Sequence, residues 1–227
     1  GYARGADSYG VDIIQNCEVR DLIVRAGRIA GVETAQGVVE ADSVALTVAG
    51  HSSVLAAKAG FRLPVTSYAL QAFVSEPIKP ILNTVVLSPV TGFYVSQSDK
   101  GELVMGGALD LYNSYAQRGN FPAIEGVLSA AVEMFPVMSR LKLMRHWGGI
   151  VDVVPDSSPI IGKSPVQGLY LNCGWGTGGF KAIPAGGFTL AHSIAHDTPH
   201  PIAAPFALDR FATGALIDEA GASGIAH

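Results

Sequence analysis

The sequence predicts a mixed fold, part α/β and part α+β, and three stretches carry that reading. Residues 11–48 are short β-branched segments punctuated by glycine, ending in an apolar strand that turns into a helix. Residues 65–107 hold four strand-like runs separated by Pro, Gly or Asp-Lys-Gly turns, which suits an antiparallel sheet better than βαβ units. Residues 169–196 read as a short apolar strand, a glycine-rich loop and a helix. An apolar fraction of 48% against 15% charged residues, in a chain of 227, provides for a real core and excludes disorder.

The elements follow in order. Gly1–Ala6 reads as the interior of a helix running into Gly10, with no initiator Met and no signal peptide, so the chain is expected to begin inside a longer protein. Val11–Ile14, Cys17–Val19 and Asp21–Val24 read as strands. Turns at Ala26-Gly27-Arg28 and Gln36-Gly37 then feed Ile29–Thr34 and Val38–Asp42, completing a meander. Ser43–Val48 is apolar throughout, as expected of a strand buried on both faces, and Ala49–Ser53 opens a helix that runs to Gly60. Val65–Ser75, Thr84–Leu87, Gly92–Gln97 and Glu102–Gly107 form the antiparallel sheet. Asn120-Phe121-Pro122 caps a helix that ends before Pro136. A strand region surrounds His146–Val154, Leu169–Cys173 is a strand, and a helix runs to about His196. The tail from Thr198 to His227 reads as loose and peripheral.

Composition excludes several functions. A net charge of −4 offers no basic field for nucleic acid. No apolar stretch reaches the roughly 18–20 residues of a membrane span. Cys17 and Cys173 are too few for a disulfide framework and lack metal-ligand spacing, which fits a reducing cytoplasm.

The strongest local signal is Gly174, Gly176 and Gly179, spelling G-x-G-x-x-G between strand and helix. The acidic residue of a dinucleotide fingerprint is missing about 20 positions on. Three readings stay open: that fingerprint, glycines for tight helix–sheet packing, or a loop that lets a helix N-terminus press against a cofactor or anionic substrate. Lys181 at the helix start favours the last, because a cation there needs a compensating anion. His192, His196 and His200 have helical spacing, but Pro199 intervenes and a solvated helix end outweighs a metal site; no metal ligand is assigned. Asp152 and Asp156 are either turn formers beside Pro and Ser or an acid/base pair. Tyr94 is either a half-buried structural tyrosine or points into a sheet-lined cavity. No G-x-S-x-G elbow exists to anchor a hydrolase triad.

Taken together, these motifs resemble the D-amino-acid-oxidase-like flavoproteins, and within them the beta subunits of heterotetrameric sarcosine oxidases. The resemblance rests on three stretches and reaches to about residue 196. The first is Gly10–Val19 with Gly31–Thr34, Gly37, Ala41-Asp42 and Ala49-Gly50. The second is Gln71–Val74 with Gly92-Phe93-Tyr94 and Gly101–Gly107. The third is Trp147–Ile150 with Pro155–Gly162 and Leu171–Lys181.

The resemblance implies the remainder of a glutathione-reductase-like FAD-binding domain (1–60 and 146–227) around an antiparallel substrate domain (61–145). It implies FAD, with Val19, Ala49, Gly50, Gly176, Thr177, Gly179 and Lys181 at the cofactor. It also implies a covalent FMN just upstream of Gly1, outside this chain. Lys181 is implied to pair with the substrate carboxylate, with Tyr94 in the pocket; the active-site histidine of monomeric relatives, near the position of Ala108, has no counterpart. The implied reaction is oxidation of sarcosine to glycine. Electrons pass through FMN to O2 to give peroxide, and the methylene group goes to tetrahydrofolate or leaves as formaldehyde. The other sarcosine oxidase subunits are the implied partners, and the location is cytoplasmic. Alternatives are a glycine, opine or dimethylglycine oxidoreductase, or a non-catalytic piece that only packs against partner subunits.

Overall fold

The structure is a computed structural model and describes residues 1–217. It is a mixed arrangement of helices with three separate sheets. After a short helix α1 (Tyr2–Ser8), strands β1 (Val19–Arg25), β2 (Arg28–Thr34) and β3 (Gly37–Glu40) form an antiparallel meander in sequence order. The expected strand at Val11–Ile14 is absent. Val11, Ile13 and Ile14 are exposed and nothing pairs with them, so β-propensity there finds no packing surface.

β4 (Val44–Leu46) is only three residues long, and only Leu46 is fully buried. The expected six-residue strand is cut short because Ala49–His51 already turn as a 3-10 segment, from which α2 (Ser52–Lys58) continues. β4 pairs in parallel with β11 (Leu169–Cys173), which pairs antiparallel with β10 (Ile160–Lys163). Leu46, Leu55, Ile160, Leu169 and Leu171 pack with Leu22 and Ile29 of the meander into one core.

The third sheet is antiparallel, ordered β6-β7-β8-β5-β9, from β5 (Thr66–Pro77), β6 (Val86–Ser88), β7 (Phe93–Gln97), β8 (Glu102–Leu109) and β9 (Leu143–Val153). β9 runs beside β5 from Thr66 opposite Val153 to Ser75 opposite Leu143. On one face Phe73, Phe93, Val95, Leu103 and Met105 pack beneath α3 (Phe121–Met134), making a second core. Alternation then sends Tyr94, between Phe93 and Val95, to the opposite face. Asn120 starts α3 as expected, its side-chain oxygen accepting the Ala123 N–H at 2.8 Å.

The tail departs from expectation. A 3-10 turn (Ala204–Phe206) and α5 (Arg210–Thr213) are tied to the body by Arg210, whose buried guanidinium forks onto Asp156 at 2.7 and 3.0 Å. It also donates to the carbonyls of Ser158, Phe206 and Ala207. A buried guanidinium must satisfy its donors, and doing so fixes this segment. The expected loose stretch from 218 to 227 lies outside the described residues. Among the described residues no helix is long and apolar enough to cross a membrane.

Candidate active site

The side of the five-stranded sheet away from α3 borders a cavity of about 860 Å³, to which all five strands contribute, through Leu87, Tyr94, Leu109, Leu70 and Val151. Its opposite side is the Gly174–Gly178 loop and helix α4 (Gly179–His196), from which Lys181, Ala182, Ala185 and Thr189 line it. Ile202, Ala203 and Phe206 of the tail complete the wall. A second cavity of about 510 Å³ lies where Thr47 and Ala49, after β4, meet Gly179, Ala182, Ile183 and Gly186 of α4. Asp152, Trp175 and Gly176 line both.

Helix α4 begins without a side-chain cap, so its first-turn N–H groups and the positive end of its dipole are available beside both cavities. Lys181, in that first turn, is exposed, lines the larger cavity, and has no acidic partner among the described residues. Burial raises the Tyr94 phenol above its ordinary value, keeping it protonated at neutral pH. The loop is close-packed: Gly174 has φ +73°, and a Cβ there would stand 2.7 Å from Val154 Cγ1. The indole N–H of Trp175 donates to Asn172 Oδ1 at 2.5 Å.

A family model described as DAO, FAD dependent oxidoreductase, matches residues 1–193. The chain belongs to the FAD-dependent oxidoreductases. Within that family it is 56% identical over 226 residues to sarcosine oxidase subunit beta of an Arthrobacter species, spanning 100% of this chain and 56% of that one. It is 53% identical over 227 residues to sarcosine oxidase subunit beta of Rhodobacter capsulatus, spanning 100% of this chain and 55% of the relative. Among solved structures, L-proline dehydrogenase of P. horikoshii superposes with a TM-score of 0.87 at 26% identity, over 95% of this chain and 59% of that one. The chain therefore spans little more than half the length of the curated relatives it matches.

Against this FAD-dependent oxidoreductase frame, the structure brings Lys181, Tyr94, Gly176 and Thr177 to the larger cavity, and Ala49, Gly176 and Gly179 to the smaller. Gly50 lies behind Ala49; its carbonyl accepts from Ser67 Oγ at 2.5 Å and Tyr115 Oη at 3.0 Å. Val19, at the start of β1, lines neither cavity. The smaller cavity, largely apolar and bordered by glycines and an uncapped helix start, fits the planar ring end of a flavin.

Asp152 is not a turn former, and it is not joined to Asp156 as an acid/base pair; Asp156 does sit in the turn after β9, where its carboxylate accepts the Ser158 N–H at 3.3 Å. Asp152 lies within β9 opposite Ser67 and is buried, its carboxylate accepting the Gly174 N–H. Asp156 is committed to Arg210. At the end of α4 His196 is exposed, while half-buried His192 stacks on it at 4.3 Å and meets half-buried His200 edge-on at 4.9 Å. Among the described residues no group of three or more His, Cys, Asp or Glu side chains could hold a metal. Sequence reasoning missed Trp175, whose indole lies against Gly179 and Gly186 of the helix that follows it, and Tyr115, whose hydroxyl reaches a carbonyl 65 residues away.

Proposed function

We propose that this chain forms the substrate-facing part of a flavin-dependent oxidase of sarcosine or a closely related amino acid. The observation that carries the reading is Lys181, a cation with no acidic partner among the described residues, in the first turn of an uncapped helix and sharing a cavity with Tyr94. A cation there is unfavourable against the helix dipole unless an anion joins it, and an amino-acid carboxylate supplies one. The names of the relatives, sarcosine oxidase subunit beta, support the choice of substrate and point to further subunits.

In this reading Lys181 binds the carboxylate and so orients the amine. Tyr94, protonated, offers a hydroxyl at the sheet side of the cavity. The apolar residues Leu70, Leu87, Leu109 and Val151 exclude water from the reacting carbon. Gly176, Thr177 and Gly179, with Ala49, would hold the ring of FAD, and their N–H groups and the helix dipole favour negative charge on it. Bound FAD supplies the two-electron acceptor. Overall, sarcosine loses a hydride equivalent and a proton to give an imine, which water hydrolyses to glycine and formaldehyde. FMN, tetrahydrofolate and O2 enter as acceptors of electrons or the methylene group, with no residue of these cavities assigned to them.

The test is anaerobic mixing of the flavin-loaded enzyme with sarcosine, glycine or dimethylglycine while flavin absorbance is followed. Sarcosine is expected to bleach the flavin fastest. Faster bleaching by another of these amines would reassign the substrate, and no bleaching by any of them would leave the chain a packing partner without amine-oxidising chemistry.

A further inference from the structure

Asp152 is 2% exposed, has no cationic partner among the described residues, and lines both cavities. A buried carboxylate in such a place is costly unless donors surround it. Here the donors are backbone. Its carboxylate accepts the Gly174 N–H, and its own carbonyl accepts the Gly176 N–H at 2.9 Å. Gly174 and Gly176 take φ of +73° and +53°, left-handed geometry on either side of Trp175 that turns the loop's N–H groups toward Asp152. Burial pushes the Asp152 carboxyl up, and the N–H groups of Gly174, Gly176 and Trp175 oppose that rise.

We propose that Asp152 is a positioning residue, an internal anion that seats in the Gly174–Gly176 nest and thereby aims the start of α4, Thr177 to Lys181, at the cavities. The Gly174 and Gly176 N–H groups are then spent on Asp152 and that of Gly178 on the Trp175 carbonyl, which leaves the first-turn N–H groups of α4 for a bound anion. The link from aim to ligand rests on the functional reading above; the anchoring itself does not. The neighbouring strand residues Val151 and Val153 line the larger cavity with no polar atom to offer the loop, so the role falls to this side chain.

Two variants and two measurements test it in the flavin-loaded enzyme. Asp152→Asn keeps an acceptor for Gly174 but sets an amide donor against the other N–H groups; Asp152→Ala removes the acceptor altogether. Hydrogen exchange is followed on peptides covering 174–181, and acetate, a carboxylate without an amine, is titrated against the flavin absorption band. Losing a charged buried hydrogen bond is expected to quicken exchange and weaken acetate by about tenfold in the Ala variant, and by about threefold in the Asn variant. Wild-type exchange in the Asn variant overturns the proposal, whether or not the Ala variant folds. Faster exchange with an unchanged acetate constant also overturns it, reducing Asp152 to scaffolding. Should acetate leave the wild-type spectrum unmoved, the functional reading fails, while exchange still decides whether Asp152 anchors the loop.

Discussion

A methyl group added at Gly50 would stand 2.3 Å from Ile150 Cγ2, so the middle residue of the 3-10 segment Ala49–His51 is glycine for reasons of space. The cysteines differ at this scale too. Burial, only partly offset by the nearby Ser52 hydroxyl, pushes the Cys173 thiol up to about 12, while Cys17 is half-buried. Thiolate is the reactive form. Alkylation at about pH 8, near an ordinary thiol pKa, followed by mass spectrometry, is therefore expected to label Cys17 and leave Cys173 unlabelled in the folded protein. Labelling of Cys173 at the rate of Cys17 would contradict its burial. Of the candidate residues, Lys181 and Gly176 were legible because a cation and glycines at a helix start are locally anomalous. The seat of Asp152 was not, since Gly174 lies 22 residues further on and nothing in Pro-rich surroundings distinguishes a strand aspartate from a turn former.

At the scale of elements, α3 was readable from Asn120-Phe121-Pro122, because capping chemistry is local. What Asn120 also does was not readable. Its amide donates to Asp110, which accepts from Gln71 Nε2 at 2.8 Å, and Gln71 Oε1 meets His146 Nε2 at 2.8 Å. One polar network thus joins the α3 cap to β5 and β9. Asn120→Ala is expected to cost about 2 kcal/mol, the upper end for a lost cap, because Asp110, itself buried, also loses a donor; chemical denaturation measures it. A cost near zero would mean the cap contributes nothing. β10 was missed because four residues flanked by Pro and Ser carry too little pattern. Ser43–Val48 was overread because an apolar run does not show where a 3-10 turn cuts in.

At the scale of the molecule, two cores are held to one another and to the tail by contacts distant in sequence. The Arg210–Asp156 pair spans 54 residues, with side chains 3% and 2% exposed. Such a pair leaves no trace in composition, which is why the tail read as loose. Arg210→Ala is expected to cost about 3–5 kcal/mol by stranding the Asp156 carboxylate. Burial raises the Asp156 carboxyl, but hydrogen bonds from Arg210 and the Ile217 N–H, with the Arg210 charge, outweigh it and hold it below the usual range. A depressed folded value means the contribution is fully present above the unfolded value of about 3.9 and is lost as pH falls through the folded one. The stability gap between wild type and Asp156→Asn should therefore be constant from neutral pH down to about 3.9 and close as pH falls from there through the folded value. A gap that widens with acid would contradict the pairing.

In the proposed function the Lys181 ammonium binds the substrate's carboxylate. The most direct test of that contact is the steady-state kinetics of Lys181→Met, which keeps the length of the side chain and removes the charge. The KM for sarcosine is expected to rise about 30-fold, with a smaller fall in kcat, as for loss of one charged contact that orients the ground state. A KM equal to the wild type's would contradict it.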